Sequence, residues 1–282
     1  MDVKRFGVIG AGQMGNGIAQ VAAASGLDVV MSDIKPEFCE KGVATIAKSL
    51  DRMVKKEKIS DAEKAQILSR ITTTTDLKDM AAVDFVVEAA VEQQDLKFKI
   101  FEDLDKICPP EVILSTNTSS IPIGRIAART SRPDKIIGMH FMNPVPVMKL
   151  VEMIPGLQTD KEIFGAVTKL AQDWGKTTTE SRDFPGFIVN RLLIPYLNEA
   201  CFAYTEGLGT LEDIDTSIKL GLNNPLGPFA LADLIGLDTV LAIANVLHDG
   251  FGDPKYRPAP LLVKHVEAGW LGRKTGRGLF QY

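Results

Sequence analysis

Short apolar runs alternate with amphipathic stretches over the first two thirds of the chain, and the alternation stops near residue 183. RFGVIG is a compact apolar run ending in glycine, and NGIAQVAAASG continues at helical spacing and closes on Gly26. LDVVMSD has the length and β-branched content of a second strand, ending at Asp33. A strongly basic helical stretch runs from Pro36 to about Lys58, and a second helix, DAEKAQILSRI, follows. Further strands are predicted at FVVEAA (85–90), VILSTNTSS (112–120), KIIGMHF (135–141) and MKLVEMI (148–154), with the helical QQDLKFKIFEDLDKI between the earlier ones. Strands alternating with helices predict a doubly wound, mostly parallel sheet. After RDFPGF (182–187) only helical patterns remain. The expected organisation is therefore an α/β domain over 1–183 and a smaller all-helical domain over 184–282. FALADLIGLDTVLAIANVL (229–247) reads as one buried helix, because Asp233, Asp238 and Asn245 interrupt it too often for a membrane span.

Composition narrows the function classes. A chain of 282 residues exceeds the usual span of one hydrophobic core, which agrees with two domains. Hydrophobic residues at 45% and charged residues at 24% describe an ordinary globular protein. A net charge of −4 gives no basic surface for nucleic acid or anionic membrane. Cys39, Cys108 and Cys201 are scattered and form no CxxC pair, which points to reduced cytoplasmic thiols and away from disulfides or a metal site. The amino terminus enters its first strand within a few residues, so no signal peptide is expected.

The first chemistry appears in GVIGAGQMGNG. Gly10, Gly12 and Gly15, with Gln13 and Met14 between the last two, form GxGxxG directly after a strand and at the opening of a helix. Glycines there permit a tight turn and close approach of a pyrophosphate to amide groups at the helix amino terminus, the arrangement of a Rossmann-type dinucleotide fold. Asp33 closes the second strand, where a carboxylate bonds the two ribose hydroxyls of adenosine and repels a 2′-phosphate. NAD is thus expected in preference to NADP.

The second lies in MHFMNPVPVMKLVE (139–152). If the flanking strands form a hairpin centred on Pro146, residue i faces residue 292 − i, and His140 faces Glu152 on one side of the sheet. A carboxylate on one ring nitrogen fixes the tautomer and stabilises the imidazolium, while the other nitrogen accepts an alcohol proton. A core histidine held by a structural carboxylate is the alternative. His248 and His265 fall near helix carboxyl termini and suit the dipole there.

These motifs carry a resemblance. GAGQMGNGIAQ, VVEAAVE, STNTSSIPI, GMHFMNPVPVMKLVE, DFPGFIVNRLL, GPFALADLIGLD and GRKTGRGLFQY cover nearly the whole chain in order. The sequence resembles the 3-hydroxyacyl-CoA dehydrogenase family, in particular its short, single-function bacterial members. The resemblance implies NAD-dependent interconversion of (S)-3-hydroxyacyl-CoA and 3-oxoacyl-CoA. It makes His140 the base, Glu152 its orienting carboxylate, Ser119 a hydrogen-bond partner of the substrate oxygen at C3, and Asn190 a second substrate contact reaching across an interdomain cleft. It places Glu92, Lys97, Asn117, Ser119 and Asn143 around the ribose and nicotinamide, with Lys274 added from the carboxyl-terminal segment. Taken alone, Ser119 reads as a helix cap for IPIGRIAAR, Asn190 as a buried polar group, and Glu92 with Lys97 as a solvated helix start.

Lys48, Arg52, Lys55 and Lys56 share one helix face. A solvated surface explains that spacing, but the phosphates of coenzyme A also want lysine and arginine. In the family this helix receives the adenine end, with Ser49 and Lys56 at its binding positions and Lys48 and Arg52 alongside. A gulonate-type hydroxy-acid dehydrogenase and a crystallin-like relative without turnover remain as alternatives. LLIPYLNEACF and ALADLIGLDTVLAIANVL exceed the apolar surface one small domain buries, so a homodimer through the second domain is expected.

Overall fold

A computed structural model describes residues 3–282, and Met1 and Asp2, where the expected first domain begins, lie outside the described residues. The chain divides into two compact units, one ending at Phe184 and the other running Pro185–Tyr282.

The first unit contains β1 (Arg5–Ile9), α1 (Gln13–Ala24), β2 (Asp28–Ser32), α2 (Pro36–Lys55), α3 (Asp61–Ser69), β3 (Ile71–Thr74), β4 (Phe85–Glu88), α4 (Gln94–Ile107), β5 (Ile113–Thr116), α5 (Ile123–Ala127), β6 (Ile136–Phe141), β7 (Leu150–Pro155), α6 (Lys161–Asp173) and β8 (Thr177–Glu180). The strands form one sheet in the order β3-β2-β1-β4-β5-β6-β7-β8. The first six are parallel in the order of a Rossmann sheet. β7 then reverses against β6, and β8 runs parallel to β7.

The central strands are buried almost residue by residue, as a parallel sheet covered on both faces requires. Phe6, Val8, Ile18, Met31, Phe85 and Met139 fill the core between sheet and helices. β3 (ITTT) and β8 (TTTE) are strands that hydrophobic patterning does not predict. Both lie at the sheet edges, where threonine keeps β propensity while the outer face stays polar, so no apolar run announces them. The expected end of α2 at Lys58 moves back to Lys55, because Glu57 takes a left-handed φ of 53° that no helix continues through. β7 begins at Leu150, later than the run MKLVEMI suggests. The amides of Val147 and Met148 both turn back to the Pro144 carbonyl and spend those residues on the hairpin tip.

The second unit is helical: α7 (Val189–Thr205), α8 (Leu211–Gly221), α9 (Pro228–Ile235), α10 (Leu237–Phe251) and α11 (Pro260–Glu267). Leu197, Phe229, Leu237, Val240 and Leu247 are central to its core. The single helix expected over 229–247 is instead two, α9 and α10, bent by 97°. Gly236 causes the break. Its φ of 102° favours glycine, and the next amide, of Leu237, leaves the helix ladder for the Leu271 carbonyl. No single helix among the described residues is long and apolar enough to cross a membrane. His248 and His265 occupy the last turns of α10 and α11, as the sequence pattern predicts.

Candidate active site

After β1 the chain turns on Gly10, whose φ of 99° favours glycine and whose added Cβ would stand 2.6 Å from the Ala89 carbonyl oxygen. A Cβ on Gly15 would meet the Gly10 carbonyl oxygen at 1.8 Å, so turn and helix touch backbone to backbone. Gly12 differs, with nothing within 4 Å of its missing Cβ. Gln13 and Met14 open α1, whose first turn has no acidic residue and no side-chain cap. Its amide donors therefore face outward for an anion. The Asp33 carboxylate accepts bonds from the amides of Ala11 and Ile34, both at 2.7 Å, and so ties the glycine turn to the end of β2. A cavity of about 660 Å³ opens there, lined among others by Gly12, Asp33, Phe38, Lys41 and Leu96.

The β6–β7 hairpin pairs His140 with Glu152, the register expected from a centre at Pro146. His140 Nδ1 lies 2.7 Å from Glu152 Oε2, with both residues buried. A carboxylate at Nδ1 holds the proton there and makes Nε2 the acceptor nitrogen of the neutral ring. Asn143 opens the hairpin tip. The Lys176 ammonium closes it by donating to the carbonyls of Val145 (2.5 Å) and Met148 (2.8 Å), and burial lowers the pKa of that lysine.

β5 ends in the loop that carries Asn117 and Ser119. The Asn117 side-chain oxygen accepts from the Phe141 amide at 2.8 Å, which fastens this loop beside His140. Glu92 Oε1 accepts from the amides of Ser119 (2.9 Å) and Ser120 (3.1 Å) and from the hydroxyls of Thr118 (2.5 Å) and Ser120 (2.7 Å). Burial raises the pKa of the Glu92 carboxyl, but Lys97 and those hydrogen bonds outweigh it and leave the group below its ordinary range. Two simpler readings fail here. Lys97 is no solvated helix start, being 1% exposed with its ammonium 2.6 Å from Glu88 and 3.3 Å from Glu92. Ser119 does not cap α5, because the Asp183 carboxylate takes the amides of Ile123 and Gly124, each at 2.8 Å.

The structure thus brings Glu92, Lys97, Asn117 and Ser119 together around the loop that flanks His140. Asn190 and Lys274 belong to the second unit. Asn190 is the second residue of α7, and the Lys274 ammonium sits 2.6 Å from each Asp238 oxygen. On α2, Lys48 and Arg52 are exposed and Ser49 is half-buried, and Lys56 lies just past the helix end. Lys48, Arg52 and Lys56 form no ion pair among the described residues. Motif reading passes over Glu88, Thr116, Thr118 and Asp183. Only Glu88 leaves a signal, as a lone carboxylate inside the apolar run FVVEAA.

A glycine turn, a ribose-type carboxylate and a histidine–carboxylate pair on one Rossmann sheet define a dinucleotide-dependent enzyme of the dehydrogenase class. Residues 5–184 match the model described as 3-hydroxyacyl-CoA dehydrogenase, NAD binding domain, and residues 186–282 match the one described as 3-hydroxyacyl-CoA dehydrogenase, C-terminal domain. The chain belongs to the 3-hydroxyacyl-CoA dehydrogenase family. A 3-hydroxybutyryl-CoA dehydrogenase of Bradyrhizobium diazoefficiens is 52% identical over 280 residues, 99% of this chain and 96% of that one. A probable 3-hydroxybutyryl-CoA dehydrogenase of Deinococcus radiodurans is 56% identical over 99% of this chain and 100% of its own. The crystal structure of (S)-3-hydroxybutyryl-CoA dehydrogenase from Ralstonia eutropha matches with a TM-score of 0.97 at 54% identity, over 100% of this chain and 99% of that one.

Proposed function

We propose that the chain is an NAD-dependent (S)-3-hydroxyacyl-CoA dehydrogenase of short acyl chains, interconverting 3-hydroxybutyryl-CoA and acetoacetyl-CoA. The 2.7 Å His140–Glu152 pair, on the same sheet as the glycine turn and Asp33, carries this reading. The relatives' names supply the acyl group. His140 takes the C3 hydroxyl proton at Nε2, and Glu152 stabilises the imidazolium that results. Ser119 bonds the C3 oxygen, and Asn190 is a second substrate contact. NAD, when bound, supplies the acceptor for the hydride leaving C3. The residues fit it: Gly12 leaves its approach open, α1 offers unspent amides, and Asp33 is fixed for the ribose. Gln13, Met14, Glu92, Asn117, Asn143 and Lys274 complete the proposed cofactor contacts, with Lys97 holding Glu92.

Residues 1–183 serve as the NAD-binding domain, and 184–282 as the substrate and dimerisation domain. Exposed Leu192, Leu208, Leu220 and Leu222 support a homodimer through the helical unit. Three free, buried cysteines support a cytoplasmic enzyme. One assay tests the activity. NADH should be oxidised with acetoacetyl-CoA and not with free 3-oxo acids, and turnover of the free acid alone would transfer the reading to a gulonate-type enzyme.

Two further outcomes are expected. NAD should be preferred over NADP. Asp33→Ala should narrow the gap in kcat/KM by about tenfold or more, since like charges facing each other cost several kcal/mol. Equal kcat/KM for both cofactors in the unmodified protein would remove Asp33 from this role. Lys56→Ala should raise KM for acetoacetyl-CoA several-fold and hardly move kcat, because an exposed pair gains only about 0–1 kcal/mol. The effect should shrink at high salt and vanish with a truncated acetoacetyl thioester lacking the nucleotide. Equal impairment toward both thioesters would make the residue structural.

A further inference from the structure

Glu88 ends β4 with its carboxylate fully enclosed, and no part of the binding or proton transfer above falls to it. Burial raises the pKa of this carboxyl, opposed by Lys97, Thr116 and the Ala90 amide. An enclosed charge costs several kcal/mol unless every lone pair finds a partner. Glu88 Oε1 accepts from the Lys97 ammonium and the Ala90 amide, both at 2.6 Å, and Oε2 accepts from the Thr116 hydroxyl at 2.7 Å.

Two of those three bonds lead to the same loop. Through Lys97, whose ammonium also lies 3.3 Å from Glu92 Oε2, Glu88 fixes the carboxylate that collects the amides of Ser119 and Ser120. Through Thr116, whose hydroxyl oxygen accepts the Thr118 amide at 3.1 Å, it fixes the start of the loop. The backbone adds a third tie, because the Glu88 carbonyl accepts the Asn117 amide at 2.7 Å.

We propose that Glu88 is the positioning residue of the 116–120 loop and sets where the Ser119 hydroxyl stands. The proposal rests on the reading of Ser119 as the group that bonds the C3 oxygen. Two carboxylates compete for one enclosed ammonium, and Lys97 sits nearer Glu88 (2.6 Å) than Glu92 (3.3 Å). Neutralising Glu88 leaves Glu92 as the remaining carboxylate at the Lys97 ammonium, beside the neutral Ala90 carbonyl at 3.2 Å, and in so enclosed a site the pull of the charge is strong. Lys97 then draws Glu92 away from the loop amides, and Ser119 loses its support.

Glu88→Gln keeps the shape and removes the charge. It should lower kcat on the order of tenfold or more, the scale of a catalytic group slightly misplaced. A double-mutant cycle with Ser119→Ala separates this from general loosening. If Glu88 acts through Ser119, the double variant should lose no more than the more damaging single one. Amide exchange in the full chain should quicken over residues 116–121 and stay unchanged at the glycine turn. Where Ser119→Ala itself lowers kcat, an unaltered kcat in Glu88→Gln, additive losses, or unaltered exchange in the loop would overturn the proposal. Should Ser119→Ala prove neutral, the reading of Ser119 fails, and loop exchange alone decides: quickened exchange upholds the anchor and unchanged exchange rejects it. If Glu88→Gln does not fold, Thr116→Val cuts the second route and is judged by the same cycle and the same exchange criterion.

Discussion

His140→Gln is expected to lower kcat by at least about a hundredfold, the usual scale for losing a general base, while NAD affinity stays nearly unchanged. The asymmetry follows from placement. The histidine sits on β6, whereas the glycine turn and Asp33 follow β1 and β2, three and four strands away across β4 and β5. Glu152→Gln separates two functions of the carboxylate. The amide oxygen still accepts from Nδ1 and keeps the ring oriented, but it carries no charge to stabilise the imidazolium. The expected result is again a fall in kcat with NAD binding intact. Steady-state kinetics beside a direct NAD titration measures both quantities. Near-full kcat in either variant would make the pair a structural element of the hairpin.

The second large effect concerns the glycine turn, where two glycines predict different failures. Gly15→Ala places a Cβ 1.8 Å from the Gly10 carbonyl oxygen, so α1 and the turn must part. Overpacking of this kind costs about 1–3 kcal/mol, and the variant should lose both thermal stability and NAD binding. Gly12→Ala meets nothing within 4 Å in the protein itself. Its Tm should match that of the unmodified chain, while NAD affinity falls because the methyl group stands where the pyrophosphate approaches. Calorimetry paired with NAD titration distinguishes the two. An unchanged NAD Kd in Gly12→Ala would place the dinucleotide elsewhere.

Much of the molecule was readable in its residues, for reasons that differ by element. The central strands announce themselves because a sheet covered on both faces needs unbroken apolar runs such as FVVE and ILST. The His140–Glu152 register was legible because a hairpin has one centre, and the tip prolines locate it. β3 and β8 were silent, since an edge strand of threonines has no face to declare. The break at Gly236 was hidden inside an apolar run, where patterning reports burial but not direction. The Lys97 ammonium is misread as solvated because nothing local shows that Glu88, nine positions back, waits for it. Asp183 capping α5 joins residues sixty apart, beyond the reach of any motif.

The reversal at β7 also bears on how this enzyme can change over generations. His140 and Glu152 face one another through the backbone ladder of a single hairpin, twelve positions apart, so their spacing is inherited with the strand pairing. The exposed side chains of Val147 and Met148 at the hairpin tip lie outside that ladder. Substitutions at those two positions can accumulate while the His140–Glu152 spacing passes to descendants unaltered.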